Sequence, residues 1–139
     1  MKKLISPLLL IVSLIFSFQA VAGIAVIINP TNDTTLTAKE IKRIFLIKTK
    51  TYPNGLNATP VSQTEDADIT SKFNEMVLKK SDHQLKAYWS KLIFTGKGNP
   101  PQEAADDAAT KSLVASNPSM IGYIDDSAVD NSVKVIATF

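Results

Sequence analysis

Thr95-Gly96-Lys97-Gly98-Asn99 brings together residue types suited to holding an anion. Glycines let successive N–H groups converge into a nest, and Lys97 adds positive charge. The segment lacks the spacing and the Ser/Thr of a P-loop, so glycines serving only the turn are the competing reading. Glu65, Asp66 and Asp68 are a second candidate, as hard-cation ligands, because Ca²⁺ takes several oxygen donors. They lack the glycine and the later glutamate of an EF-hand loop. Asp68 capping a helix, with its neighbours solvated on the dipole, is the simpler account. His83 is the sole histidine, and there is no cysteine. A Cys-His nucleophile is excluded and no local motif supports a Ser-His-Asp triad. The chain reads as non-enzymatic, with no cofactor and no metal.

The elements that must position these residues follow from periodicity and capping. Ile24 to Ile28 is a continuous apolar run ended by Asn29-Pro30, the pattern of a strand buried on both faces. Thr37-Ala38-Lys39-Glu40 is a capping box, and Ile41, Ile44 and Phe45 continue one helical face to about Ile47. Pro53-Asn54-Gly55 marks a turn, and Thr59 to Ser62 a short strand. Asp68 is expected to cap a helix whose Ile69, Phe73, Met76 and Val77 share a face, ending near Lys79-Lys80. Ser81-Asp82-His83-Gln84 is a second capping box, opening a helix with an apolar stripe of Leu85, Tyr88, Trp89, Leu92 and Ile93. The spacing assigns Tyr88 and Trp89 to the core rather than to stacking on a ligand. A fourth helix is expected from Gln102 to Ser116, with Ala105, Ala109 and Leu113 on one face. Met120 to Ile124 and Val133 to Ile136 read as strands. The sum is one α/β domain, a mixed sheet of three to five strands flanked by helices.

Charge and hydropathy change their meaning once the first residues are set aside. Lys2 and Lys3, the apolar run from Leu4 to Phe18 and the small residues Ala20-Val21-Ala22 form the pattern of a secretory signal peptide, expected to be cleaved after Ala22. The run falls short of the roughly 20 apolar residues of a membrane span, and no later run approaches that length. Without Lys2 and Lys3 the basic residues number the same as the 13 acidic ones, and the domain of residues 23–139 is formally neutral. A nucleic-acid partner, which needs a basic surface, is not expected. Lacking disulfides, the domain must stand on its core, which its size permits. A periplasmic location is the expectation.

Several ordered segments resemble the phosphate-binding proteins of phosphate ABC transporters. They are Leu36-Thr37-Ala38-Lys39-Glu40-Ile41-Lys42-Arg43-Ile44-Phe45-Leu46-Ile47-Lys48 with Tyr52-Pro53-Asn54-Gly55, then Gly96-Lys97-Gly98-Asn99, and then Asn117-Pro118-Ser119-Met120-Ile121-Gly122-Tyr123-Ile124. Tyr88-Trp89-Ser90-Lys91-Leu92-Ile93-Phe94-Thr95-Gly96-Lys97-Gly98-Asn99-Pro100-Pro101 is similar to a run shared by the small, single-lobe members of that type (PBP domain family, periplasmic binding protein type II superfamily). The resemblance implies a single lobe of the type II periplasmic-binding-protein fold. It also implies an anion site at a helix start, where the family carries Ser-Gly-Thr. Aligned on Phe73, that site falls on Ala67-Asp68-Ile69, so both hydroxyls are missing and Glu65, Asp66 and Asp68 stand nearby. One carboxylate about 5 Å from a phosphate charge repels it by about 3 kcal/mol at an effective dielectric near 20. Thr64, Thr70 and Ser71 are the hydroxyls left to shift the site by a residue or two. The ligand-binding set is therefore expected among Thr64, Thr70, Ser71, Thr95, Gly96, Lys97, Gly98 and Asn99.

Two functions fit these residues. One is a solute-binding module that holds phosphate or a related oxyanion weakly, for transport or sensing. The other is an envelope docking module without ligand, engaging a transporter, channel or sensor protein.

Overall fold

The computed structural model describes residues 23–139; the expected signal segment, residues 1–22, lies outside the described residues. Strands β1 (Ile24–Ile28), β2 (Thr59–Gln63), β3 (Gln102–Ala104), β4 (Met120–Asp125) and β5 (Lys134–Thr138) form one sheet in the order β3-β2-β4-β1-β5. β2 pairs parallel with β3 and β4, whereas β1 runs antiparallel to β4 and β5. Every residue of β1 is buried, as its unbroken apolar run requires of a strand covered on both faces.

Ile24, Val26 and Ile28 face a core shared with Ile41, Ile44, Phe45, Phe73 and Tyr123. Ala25 and Ile27 face a smaller core with Val114, Ile124 and Val133. Helix α1 (Ala38–Phe45) covers the first face behind its capping box: Thr37 Oγ1 accepts from the Glu40 N–H, and Glu40 accepts from the Thr37 N–H. Helix α4 (Asp107–Ser116) covers the second. A Cβ at Gly122 would lie 2.7 Å from Thr110 Cγ2, so glycine sets how closely α4 approaches the sheet.

Three helical expectations are corrected. Helix α2 (Asp68–Phe73) is capped at Ala67 without a side-chain bond, so Asp68 is its first residue and not its cap. After Phe73 the backbone widens into a π-helical turn, Asn74–Leu78, which turns Val77 and Leu78 inward and leaves Met76 exposed. The expected helix from Gln102 begins instead at Asp107, capped by the Asp106 carboxylate on the Ala109 N–H. Gln102–Ala104 extends alongside Val61–Gln63, a tertiary pairing that overrides the helix-forming composition. As a result Ala105 is exposed, and Thr110 and Val114 form the buried face of α4.

Helix α3 (Asp82–Phe94) follows its capping box, with Ser81 Oγ accepting from the Gln84 N–H. Leu85 is buried, and Tyr88 and Trp89 are partly buried against the first core. The expected apolar stripe does not continue inward to the end. Ile93 is 53% exposed and Phe94 91%. Among the described residues no helix is long and apolar enough to cross a membrane.

Candidate functional site

Because β2, β3 and β4 run parallel, their carboxyl ends share one edge of the sheet, and the antiparallel β1 starts there. α2 follows β2 and α4 follows β3, so both helices present their N-termini at that edge. Open α/β sheets bind ligands at such an edge. A concavity of about 390 Å³ lies there, lined by Gly23, Gln63, Ala67, Lys72 and the carboxylates Asp68, Asp106, Asp107 and Asp125.

Internal bonds hold several of these carboxylates. Asp107 Oδ1 accepts from Gln63 Nε2 at 2.6 Å and from the Asp125 N–H at 3.4 Å. Asp125 Oδ1 accepts from the Ser127 N–H and Oγ at 2.9 and 2.7 Å. Those Ser127 bonds, with a smaller contribution from Lys72, hold the Asp125 carboxyl below the ordinary carboxylate range. The edge thus combines helix N-termini, which attract anions, with fixed negative charge, which repels them. Among the described residues no group of three or more His, Asp or Glu is placed to hold a metal ion.

The sequence-predicted residues fall into separate places. Thr70 is buried; its Oγ1 donates to the Thr64 carbonyl at 2.8 Å and accepts from the Tyr123 hydroxyl at 3.2 Å. Ser71 Oγ donates to Asp82 at 3.4 Å. Thr70 lines a cavity of about 240 Å³ with Ser62, Gln63, Asn74 and Trp89. Thr95, Gly96, Lys97, Gly98 and Asn99 lie at the far end of α3. Gly96, at φ 68°, closes that helix in a Schellman motif: its N–H donates to the Ile93 carbonyl and the Lys97 N–H to the Leu92 carbonyl. The Gly96 and Lys97 amides therefore point back into the helix and are engaged there. Thr95 and Lys97 line a different cleft, with Lys48, Lys91, Ile47, Tyr88 and Leu92.

Sequence reasoning missed Gln63, Asp106, Asp107 and Asp125. No local signal marked the aspartates at 106 and 107, because the helix-forming composition of 102–107 reads as helix interior. Tyr123 was legible only as a strand residue, although its hydroxyl bonds the Gln63 N–H, Ser62 Oγ and Thr70 Oγ1 at 3.0, 3.1 and 3.2 Å.

No family model matches the chain, and no curated protein is similar to it. Solved structures are. An ABC-type phosphate transport receptor from Vibrio cholerae superposes with a TM-score of 0.66 at 20% identity, over 83% of this chain and 45% of the receptor. A putative phosphate ABC transporter substrate-binding protein with bound phosphate, from Clostridium perfringens, gives 0.66 at 26% identity over 83% of this chain and 44% of its own. PstS from Borrelia burgdorferi gives 0.61 at 13% identity over 84% and 47%. The chain spans less than half the length of each. In fold it is a PBP-like domain, a single lobe of the periplasmic-binding-protein type similar to part of these phosphate transport proteins.

Proposed function

We propose that this chain is an exported, non-catalytic binding-protein-like module that docks to an envelope transport or sensing partner and retains little affinity for phosphate. The observation that carries this reading is the set of carboxylates, Asp68, Asp106, Asp107 and Asp125, around the helix N-termini at the strand ends. Each carboxylate near 5 Å opposes a phosphate charge by about 3 kcal/mol, which offsets what a helix N-terminus offers. The similarity to a protein with bound phosphate supports descent of the module from an oxyanion binder.

A second reading keeps a weak oxyanion site, moved to the cleft of Lys48, Lys91, Thr95 and Lys97, whose lining includes three lysines and no carboxylate. Thermal unfolding with and without millimolar phosphate or sulfate tests both. We expect no shift. Saturation at about 100 times Kd would add about 2.7 kcal/mol, several degrees for a domain of this size, and such a shift would overturn the docking reading. Loss of that shift in Lys97→Ala would assign the ligand to the lysine cleft.

A further inference from the structure

The cavity of about 240 Å³ beside Trp89 is bounded by residues of β2, the π-helical turn, α3 and the start of β3. Phe45, Leu78, Leu85 and Trp89 give it an apolar part. Glu65, Asp82 and Glu103 also line it, and the one cation there, Lys86, is paired with Glu65 at 3.1 Å. Glu103 is the register partner of Ser62, so both side chains leave the same face of the sheet. Among the described residues Glu103 has no ion partner.

Hydrogen bonding sets the polarity of what this cavity can take. Thr70 Oγ1 gives its proton to the Thr64 carbonyl at 2.8 Å, so the proton shared with Tyr123 at 3.2 Å comes from the tyrosine. The Tyr123 oxygen then accepts from Ser62 at 3.1 Å, which leaves the Ser62 lone pairs free. Gln63 Nε2 is committed to Asp107 and to the Tyr123 carbonyl. Asn74 lines the cavity while only 9% exposed, and its Nδ2 donates to Asp82 at 3.1 Å. A carboxylate only accepts, so that orientation is fixed, and among the described residues the Asn74 Oδ1 has no partner. The cavity therefore offers lone pairs and negative charge in excess of protons.

We propose that this cavity is a binding site for a small primary ammonium on a short apolar stem, an alkylamine or arylalkylamine. An ammonium has three donors and no acceptor, which suits Asn74 Oδ1, Ser62 Oγ and a carboxylate. The stem covers the apolar part, where the Trp89 ring also attracts a cation. The volume is below the roughly 300–1,000 Å³ of drug-sized pockets, so the stem is short. Asn74 and Leu78 are the first and last residues of the π-helical turn, a feature that recurs at functional sites. The lining shares no residue with Ala67-Asp68-Ile69 or with the lysine cleft, so the inference is independent of whether phosphate binds.

Trp89 is the sole tryptophan, so its fluorescence reports on the cavity. Titration of the purified protein with phenethylammonium chloride should give a saturable change. Phenethyl alcohol, which lacks the charge, should bind at least about tenfold more weakly, as for loss of a charge-assisted hydrogen bond. The anion 3-phenylpropionate should not bind. Glu103→Gln should weaken the ammonium several-fold, and Lys86→Ala, which releases Glu65, should tighten it. Both side chains are exposed, so unchanged thermal unfolding will verify that each variant folds. The proposal is overturned by the absence of a saturable change with phenethylammonium, by the alcohol or the carboxylate binding as tightly, or by an affinity indifferent to Glu103→Gln.

Discussion

Tyr123 ties the candidate site to the core through a single hydroxyl. Its ring stacks on Phe73 at 4.0 Å, and its oxygen meets the Gln63 N–H, Ser62 and Thr70. Tyr123→Phe keeps the stacking but strands the buried Gln63 N–H, and should cost about 1–3 kcal/mol in a urea unfolding experiment. Asp125 behaves differently, because its partner is a neighbour in sequence. The folded carboxyl titrates below its unfolded value, so its contribution to stability is complete above the ordinary carboxylate pKa of about 3.9 and disappears as pH falls through the lower folded value. Ser127→Ala removes the first cause of that depression. NMR titration should then show the Asp125 pKa rising toward the ordinary value, with less stability lost between neutral and acid pH than in the unaltered protein.

At the scale of elements, the approach of α4 to β4 decides how the second face of the sheet is closed. The Gly122 position leaves no room for a methyl group against Thr110 and Val114. Gly122→Ala is expected to destabilise by about 1–3 kcal/mol through overpacking, read as a lower denaturant midpoint at unchanged slope. The helix ends were legible where capping is local. Thr37-Glu40 and Ser81-Gln84 form the boxes that their spacing predicts. Elements were illegible where the cause is remote. β3 exists because β2 offers it an edge, and Met76 leaves the core because a π-helical turn changes the period after Phe73. Neither event leaves a mark in the local pattern.

For the whole molecule, one lobe supplies one wall around a small ligand, and high affinity for a small anion needs most of its surface buried. The acidic edge opposes a bound anion on the one wall this lobe supplies, which is why the phosphate thermal shift is expected to be absent. Charge is also unevenly distributed although it sums to zero over residues 23–139: carboxylates crowd the strand ends while Lys48, Lys91 and Lys97 share a cleft at the end of α3.

The sequence by itself determined the fold class, the fully buried first strand, both capping boxes and the resemblance to a single binding-protein lobe, because these rest on local periodicity or on short contiguous motifs. The absence of hydroxyls from Ala67-Asp68-Ile69 is likewise plain in the sequence. Only the tertiary structure decided that Asp106, Asp107 and Asp125 join Asp68 at one edge, that Thr70 is committed to Tyr123 and that Gly96 and Lys97 give their amides to a helix end. Parallel pairing of β2 with β3 and β4 places those acids together across long stretches of chain. A juxtaposition of that kind arises from strand order, which no local spacing encodes.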